Sequence, residues 1–182
     1  AGYSMNFFTI TNLDFRGNYA ANSADINLRA ILLKGAMRNI TIEGNSFSGY
    51  HDGFHADLSV NPADNAGAVV FRRNSVRDNA RQGMLFNHGD GLLIEENIFD
   101  RNGYNPGGPT MLNHNVYLFE VKHATLQNNI FSRGSNFGTK LSSDVPGGFT
   151  DFVVRNNLYF NNGISLDHSE GQSGTTTYTH ER

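Results

Sequence analysis

Ile40-Thr41-Ile42-Glu43-Gly44-Asn45-Ser46-Phe47 decides how this chain is read, because it returns. It comes back as Val69-Val70-Phe71-Arg72-Arg73-Asn74-Ser75-Val76 and as Leu92-Leu93-Ile94-Glu95-Glu96-Asn97-Ile98-Phe99. Ala124-Thr125-Leu126-Gln127-Asn128-Asn129-Ile130-Phe131 and Phe152-Val153-Val154-Arg155-Asn156-Asn157-Leu158-Tyr159 repeat it again, and Phe8 to Phe15 is a degenerate first copy with Leu13 at the asparagine position. Apolar residues alternate within each copy, so each is a short strand with one buried face. The asparagine then marks a sharp turn, which its tolerance of the left-handed backbone region suits. Successive asparagines lie 29, 23, 32 and 28 residues apart, a variation that belongs in loops.

Each repeat carries a second alternating segment: Gly53 to Asp57, Gly83 to Asn87, Asn115 to Phe119, Gly138 to Ser142 and Gly163 to Asp167. Such a unit cannot bury its apolar face alone, but coils stacked about 4.8 Å apart form continuous inner columns. The expected fold is all-β, a right-handed parallel β-helix of about six rungs, roughly 30 Å long. Residues 1–182 read as one domain, with rungs from about 7 to 167 and 168–182 as a tail or last strand. Two ladders are predicted: Asn45, Asn74, Asn97, Asn129 and Asn157, and beside them Phe15, Phe47, Val76, Phe99, Phe131 and Tyr159. No segment between the strands has helical three- and four-residue spacing, which excludes a leucine-rich solenoid.

Composition agrees with a stack of tight turns. Glycine is frequent, 20 of 182 residues, and cysteine is absent, so no disulfide or thiolate zinc site contributes. The net charge of −3 and the lack of an arginine-rich run argue against a nucleic-acid partner. No apolar stretch approaches the roughly 18 to 20 residues of a membrane span.

The outward positions of the second segment carry the chemistry. Rung by rung they read His55, Leu85, Tyr117, Lys140 and Ser165, with Asp57, Asn87, Phe119, Ser142 and Asp167 at the strand ends. His51, Asp52, Arg81, Gln82, Asn113, His114 and Asn115 stand at or just before the strands. If the substrate is a uronic-acid polymer, β-elimination needs a base for the C5 proton, an acid for the leaving oxygen and a cation for the carboxylate. His55 or His114 suits the base, Tyr117 the proton donor, and Lys140 and Arg81 the cations. His51, Asp52, Asn87, Asn115 and Asp167 are the remaining candidate substrate contacts. Asp57, Asp64, Asp90 and Asp144 lie in or near turns and offer hard oxygen ligands to Ca²⁺, without an acidic loop of EF-hand type and with no metal ligand set assigned. The insertions Asn102 to Pro109 and Asp144 to Gly148 are candidate cleft walls.

On these repeats the chain resembles the right-handed parallel β-helix proteins of the pectate-lyase-like superfamily, from about Phe7 to Asp167. That resemblance implies a secreted or cell-surface protein acting on an acidic polysaccharide or other glycan, as an eliminating lyase or an epimerase. Superfamily tailspikes and adhesins supply the alternative, a non-catalytic glycan-binding or fibre segment with Tyr50, Tyr104 and Tyr117 as stacking rings. His114-Asn115-Val116-Tyr117 followed by Gly138-Thr139-Lys140-Leu141-Ser142 resembles a recurring pair in bacterial β-helix proteins, except that lysine and serine are not adjacent. His51-Asp52 is similar to part of the mannuronan epimerase motif, without its proline. Paired aspartates of the polygalacturonase kind are not evident, so glycoside hydrolysis ranks third. The first rung has no polar cap before it, so an end-to-end contact with another chain or segment is expected.

Overall fold

The computed structural model describes residues 4–19, 28–104, 110, 112–145, 148–170 and 178–181. Each coil has three sides, one more than the repeat suggests, here called A, B and C. The first coil comprises β1 (Ser4–Thr11), β2 (Asp14–Arg16) and the front of β3 (Arg29–Glu43). The back of β3 bends into side A of the second coil, which continues through β4 (Ser46–Ser48) and β5 (Asp52–Leu58). A four-residue helix, α1 (Pro62–Asn65), leads to the third coil, β6 (Ala66–Arg72), β7 (Ser75–Arg77) and β8 (Gln82–Asn87). The fourth is β9 (Asp90–Glu95), β10 (Ile98–Asp100) and β11 (His114–Phe119), and the fifth is β12 (Thr125–Gln127), β13 (Ile130–Ser132) and β14 (Phe137–Ser143). The sixth is β15 (Phe152–Arg155), β16 (Leu158–Phe160) and β17 (Ile164–Glu170). A last strand, β18 (Tyr178–Glu181), pairs with β15 and starts a seventh turn.

All strand pairs are parallel, and each pairs with its counterpart one coil away. Side B is a six-stranded sheet, while sides A and C form one 12-stranded sheet because β3 runs unbroken through both. Ile40, Val69, Leu92, Ile42, Phe71, Ile94, Leu126 and Val154 face inward from side A and are buried. The predicted aromatic column is in register, Phe15, Phe47, Val76, Phe99, Phe131 and Tyr159. Where Val76 is too small to continue it, Phe71 from side A bridges the gap, its ring 6.0 Å from both Phe47 and Phe99.

The predicted asparagine ladder forms at the A–B corner. Each asparagine amide Oδ1 accepts from the backbone N–H and the amide of its neighbour one coil earlier, at 2.9 and 3.1 Å for Asn74 under Asn45. Each Nδ2 also donates to a strand carbonyl, as Asn97 does to Phe71 at 2.9 Å. The expectation that these asparagines are themselves left-handed is corrected. The positive-φ residue is the one before: Asn12, Gly44, Arg73, Glu96, Asn128 and Asn156, with φ between 52° and 69°. The ladder position is occupied by asparagine because only a short amide donates and accepts along the stack in this way. The B–C corner repeats the device, with Gly49, Asp78, Arg101, Arg133 and Asn161 left-handed just ahead of the turn.

Candidate functional site

Side C places three kinds of position on its outer surface. The register aligns Leu32, His55, Leu85, Tyr117, Lys140 and Asp167 in one column, and Lys34, Asp57, Asn87, Phe119 and Ser142 in the next. Asp167, not Ser165, therefore follows Lys140. The reason is a shorter B–C corner in the sixth coil: Ile164 follows Asn162 by two residues, whereas Phe137 follows Gly134 by three. Gly163, read as the strand opener, is a turn residue. A third column, Arg29, Asp52, Gln82, His114, Phe137 and Ile164, opens the strands.

At one end of this face four side chains meet. Arg29 Nε donates to His55 Nδ1 at 2.8 Å and lies 3.3 Å from Asp52 Oδ2. The same His55 Nδ1 lies 3.3 Å from Asp52 Oδ2. His51 Nδ1 lies 3.6 Å from Asp52 Oδ1. Burial alone would raise the Asp52 carboxyl, but His51, His55 and the charge of Arg81 outweigh it and hold Asp52 well below the usual carboxylate range. His55 is 8 % exposed and tied to this ion cluster.

The fourth coil presents rings. Phe137, His114, Tyr117, Phe119 and His88 form a continuous run with centroid separations of 5.0, 5.3, 6.4 and 5.6 Å. Tyr117 and Phe119 are half-buried, while His114 is completely buried. Neither ring nitrogen of His114 has a partner among the described residues. Burial, joined by the charges of Lys140 and Arg81, pushes its pKa down to about 3, so the ring is neutral at ordinary pH. A ring shielded in this way cannot take a proton from a sugar on the surface, which removes the geometric basis for His114 as the base. Lys140 Nζ stands 4.9 Å from the Phe137 centroid and 3.6 Å from Asp167 Oδ2.

The family model for the right handed beta helix region matches residues 2–181. The chain belongs to that right-handed β-helix family. No curated protein and no solved structure matches it.

Within this β-helix the sequence candidates separate into groups. His51, Asp52 and His55 cluster at one end, and Tyr117, Lys140 and Asp167 occupy consecutive coils at the other. Leu85 separates His55 from Tyr117, so the two are two coils apart, about 10 Å. Asn87 donates to Asp57 at 3.5 Å on the outer face. Asn115 is not a surface contact: it is fully buried, and its Oδ1 accepts from Asn102 N and Nδ2 at 3.3 and 2.8 Å. It restores a second ladder, Asn79, Asn102 and Asn162, at the B–C corner, where Gly134 stands in place of asparagine.

The turn aspartates do not converge. Asp57 faces Asn87, Asp64 accepts from Ser59, Asp90 pairs with His123, and Asp144 is exposed. Among the described residues no three His, Cys, Asp or Glu side chains gather as a cation would require, so Ca²⁺ finds no fitting ligand set there. Residues 105–109, 146 and 147 of the two insertions lie outside the described residues. Tyr104 stands 54 % exposed beside the Asp78–Arg101 ion pair, whereas Tyr50 is half-buried. No helix among the described residues is long and apolar enough to cross a membrane. Sequence reasoning missed the C–A corner, where His88 and Glu120 each follow the last residue of a side-C strand. Extending the repeat alignment by one residue beyond Asn87 and Phe119 would have paired them.

Proposed function

We propose that this β-helix recognises an extended, carboxylate-bearing polysaccharide on the outer surface of side C, as a secreted or cell-surface protein. The observation that carries this reading is the ring run across the fourth coil, in which Tyr117 and Phe119 are partly open and Lys140 stands in register with Tyr117 one coil on. Aromatic rings accept the apolar C–H faces of sugars, and cations at the margin select carboxylates. A second reading, eliminating lyase or epimerase activity, is favoured by one feature, the alignment of Tyr117 with Lys140 one coil away. In that reaction a base removes the C5 proton, the C4–O bond breaks with the pair leaving on oxygen, and Lys140 neutralises the carboxylate as charge builds. Tyr117 would relay the C5 proton to the leaving oxygen, and the burial of His114 and the two-coil distance of His55 support that choice.

The test is titration calorimetry with alginate, pectate and glycosaminoglycans, together with ultraviolet absorbance of unsaturated product. Tyr117→Ala is expected to weaken binding about tenfold, the value of one lost ring contact. Unsaturated product that disappears in Tyr117→Phe would establish the lyase reading. Failure of every polymer to bind, or binding indifferent to Tyr117→Ala, overturns the proposal.

A further inference from the structure

The C–A corner holds a pocket of about 280 Å³ lined by His88, Glu120, Lys122, Val60, Val145 and Gly89. It lies where the ring run ends, because the His88 ring meets Phe119 edge-on at 5.6 Å. Three side chains of its wall have capacity to spare among the described residues. Glu120 Oε1 accepts from the Asp144 backbone N–H at 3.3 Å, and Oε2 faces His88 Nε2 at 3.6 Å, beyond direct hydrogen bonding. His88 Nδ1 is buried without a partner, and Lys122 makes no ion pair among the described residues. Val60 and Val145, 77 % and 48 % exposed, supply the apolar part of the lining.

We infer that this pocket binds a single hexuronate ring, with its carboxylate on Lys122, its hydroxyls shared between Glu120 and His88, and its C–H face against Val60 and Val145. A volume below the roughly 300–1,000 Å³ typical of drug-sized ligands accommodates one ring and not an oligosaccharide. A divalent cation is disfavoured by Lys122 and by the presence of a single carboxylate, and a phosphate, which brings more negative charge beside Glu120 than a monocarboxylate does, is disfavoured more than a uronate. A uronate offers one anion for the lysine, several hydroxyl donors for the glutamate and a ring face for the valines. The inference rests on the glycan reading of side C for the polymer that would deliver such a residue, but not for the pocket chemistry itself.

The experiment follows the histidine ring resonances of the full chain by ¹H–¹³C correlation, with the His88 signal assigned by its loss in His88→Phe. Galacturonate, glucuronate and mannuronate are titrated beside their neutral parents, galactose, glucose and mannose, and beside acetate at equal ionic strength. At least one uronate is expected to shift the His88 signal saturably, about tenfold more tightly than its neutral parent or acetate, as one charge-assisted contact warrants. Lys122→Met should abolish that preference. No saturable shift with any uronate, or equal shifts from acetate or the neutral parent, overturns the inference. If polymer binding depends on Tyr117 yet no uronate moves His88, the pocket fails alone. If the His88 shift stands and no polymer binds, the side-C reading fails and the pocket survives.

Discussion

Two columns of buried polar side chains climb this solenoid, and they treat their hydrogen bonds in opposite ways. At the A–B corner Asn45, Asn74, Asn97 and Asn129 each give and receive along the stack, and no amide among them is left unpaired. At the head of side C, Asp52, Gln82 and His114 are equally buried and equally in register, yet Asp52 Oδ1, Gln82 Oε1 and both His114 nitrogens lack partners among the described residues. Buried polar groups of the first kind hold a fold together, whereas those of the second are destabilising and require another explanation. The contrast assigns hydrogen-bonded stability to the corner and leaves the head of side C with buried polar atoms that folding alone does not satisfy.

The largest effect should follow from cutting the partnered column at its centre. Asn97→Ala removes the acceptor of Asn74 N and Nδ2 and the donor to Phe71 O and Asn129 Oδ1. Each buried group so stranded costs about 1–3 kcal/mol, and coils on both sides are affected. A loss of roughly 3–5 kcal/mol is expected from the midpoint of urea unfolding, near the top of the range for a point substitution. A loss below about 1 kcal/mol would mean that the ladder is ornamental, with the Phe15 to Tyr159 column supplying the stability instead.

A somewhat smaller effect tests the mended ladder at the B–C corner. Gly53, Gly83 and Gly138 share Asn115's place in the strands, and at Gly53 and Gly83 a Cβ would come within 2.8 and 2.7 Å of a ladder amide. In the fourth coil the pattern is exchanged: the strand has Asn115, and the following corner has Gly134. Asn115→Gly strands the Asn102 donors and should cost about 2 kcal/mol. Gly134→Asn alone should also destabilise, because its Cβ would lie 2.9 Å from Asn115 Nδ2 and 3.0 Å from Asn162 Oδ1. Together the two changes recreate the ordinary pattern, so the double variant should recover most of the loss, a coupling above about 1 kcal/mol. Simple additivity in the same unfolding measurement would show that Asn115 is not the replacement.

This exchange also shows where sequence reading reached its limit. The first ladder was legible because Asn45 to Asn157 recur with the same flanking residues, and repetition in phase needs no coordinates. Asn115 reads as a substrate contact because its ladder role depends on Gly134, 19 positions later, which replaces the asparagine found three residues after the inner column at Asn79, Asn102 and Asn162. The outer column was legible through the fifth coil and slipped in the sixth, where one residue fewer at the corner moves Asp167 into the place assigned to Ser165. His114 had the right residue type and strand for a base, but its sealing by Tyr117 and Phe137 is a matter of packing, which alternation alone does not register.

The unpartnered column should respond least at neutral pH. His114→Phe places a ring like that of Phe137, its neighbour in register, where two buried nitrogens now lack partners. Loss of packing fit and relief of desolvation oppose each other, so the unfolding midpoint at pH 7 should move by no more than about 1 kcal/mol in either direction. The variant should differ on acidification. His114 titrates near 6.5 when unfolded and at about 3 when folded. Between those values the unfolded chain binds the extra proton, so the stability tied to neutral His114 is complete above pH 6.5 and declines as pH falls, by up to about 1.4 kcal/mol per unit. Asp52 runs the same way in a lower window: its carboxyl is depressed by folding, so its contribution is present above about 3.8 and is lost only below that. Of these two groups only His114 acts between pH 6.5 and pH 5, so His114→Phe should reduce the slope there and gain about 2 kcal/mol on the parent relative to their difference at pH 7. A loss of several kcal/mol at pH 7 would mean that the His114 nitrogens are partnered after all, and the two columns would then differ in composition but not in kind.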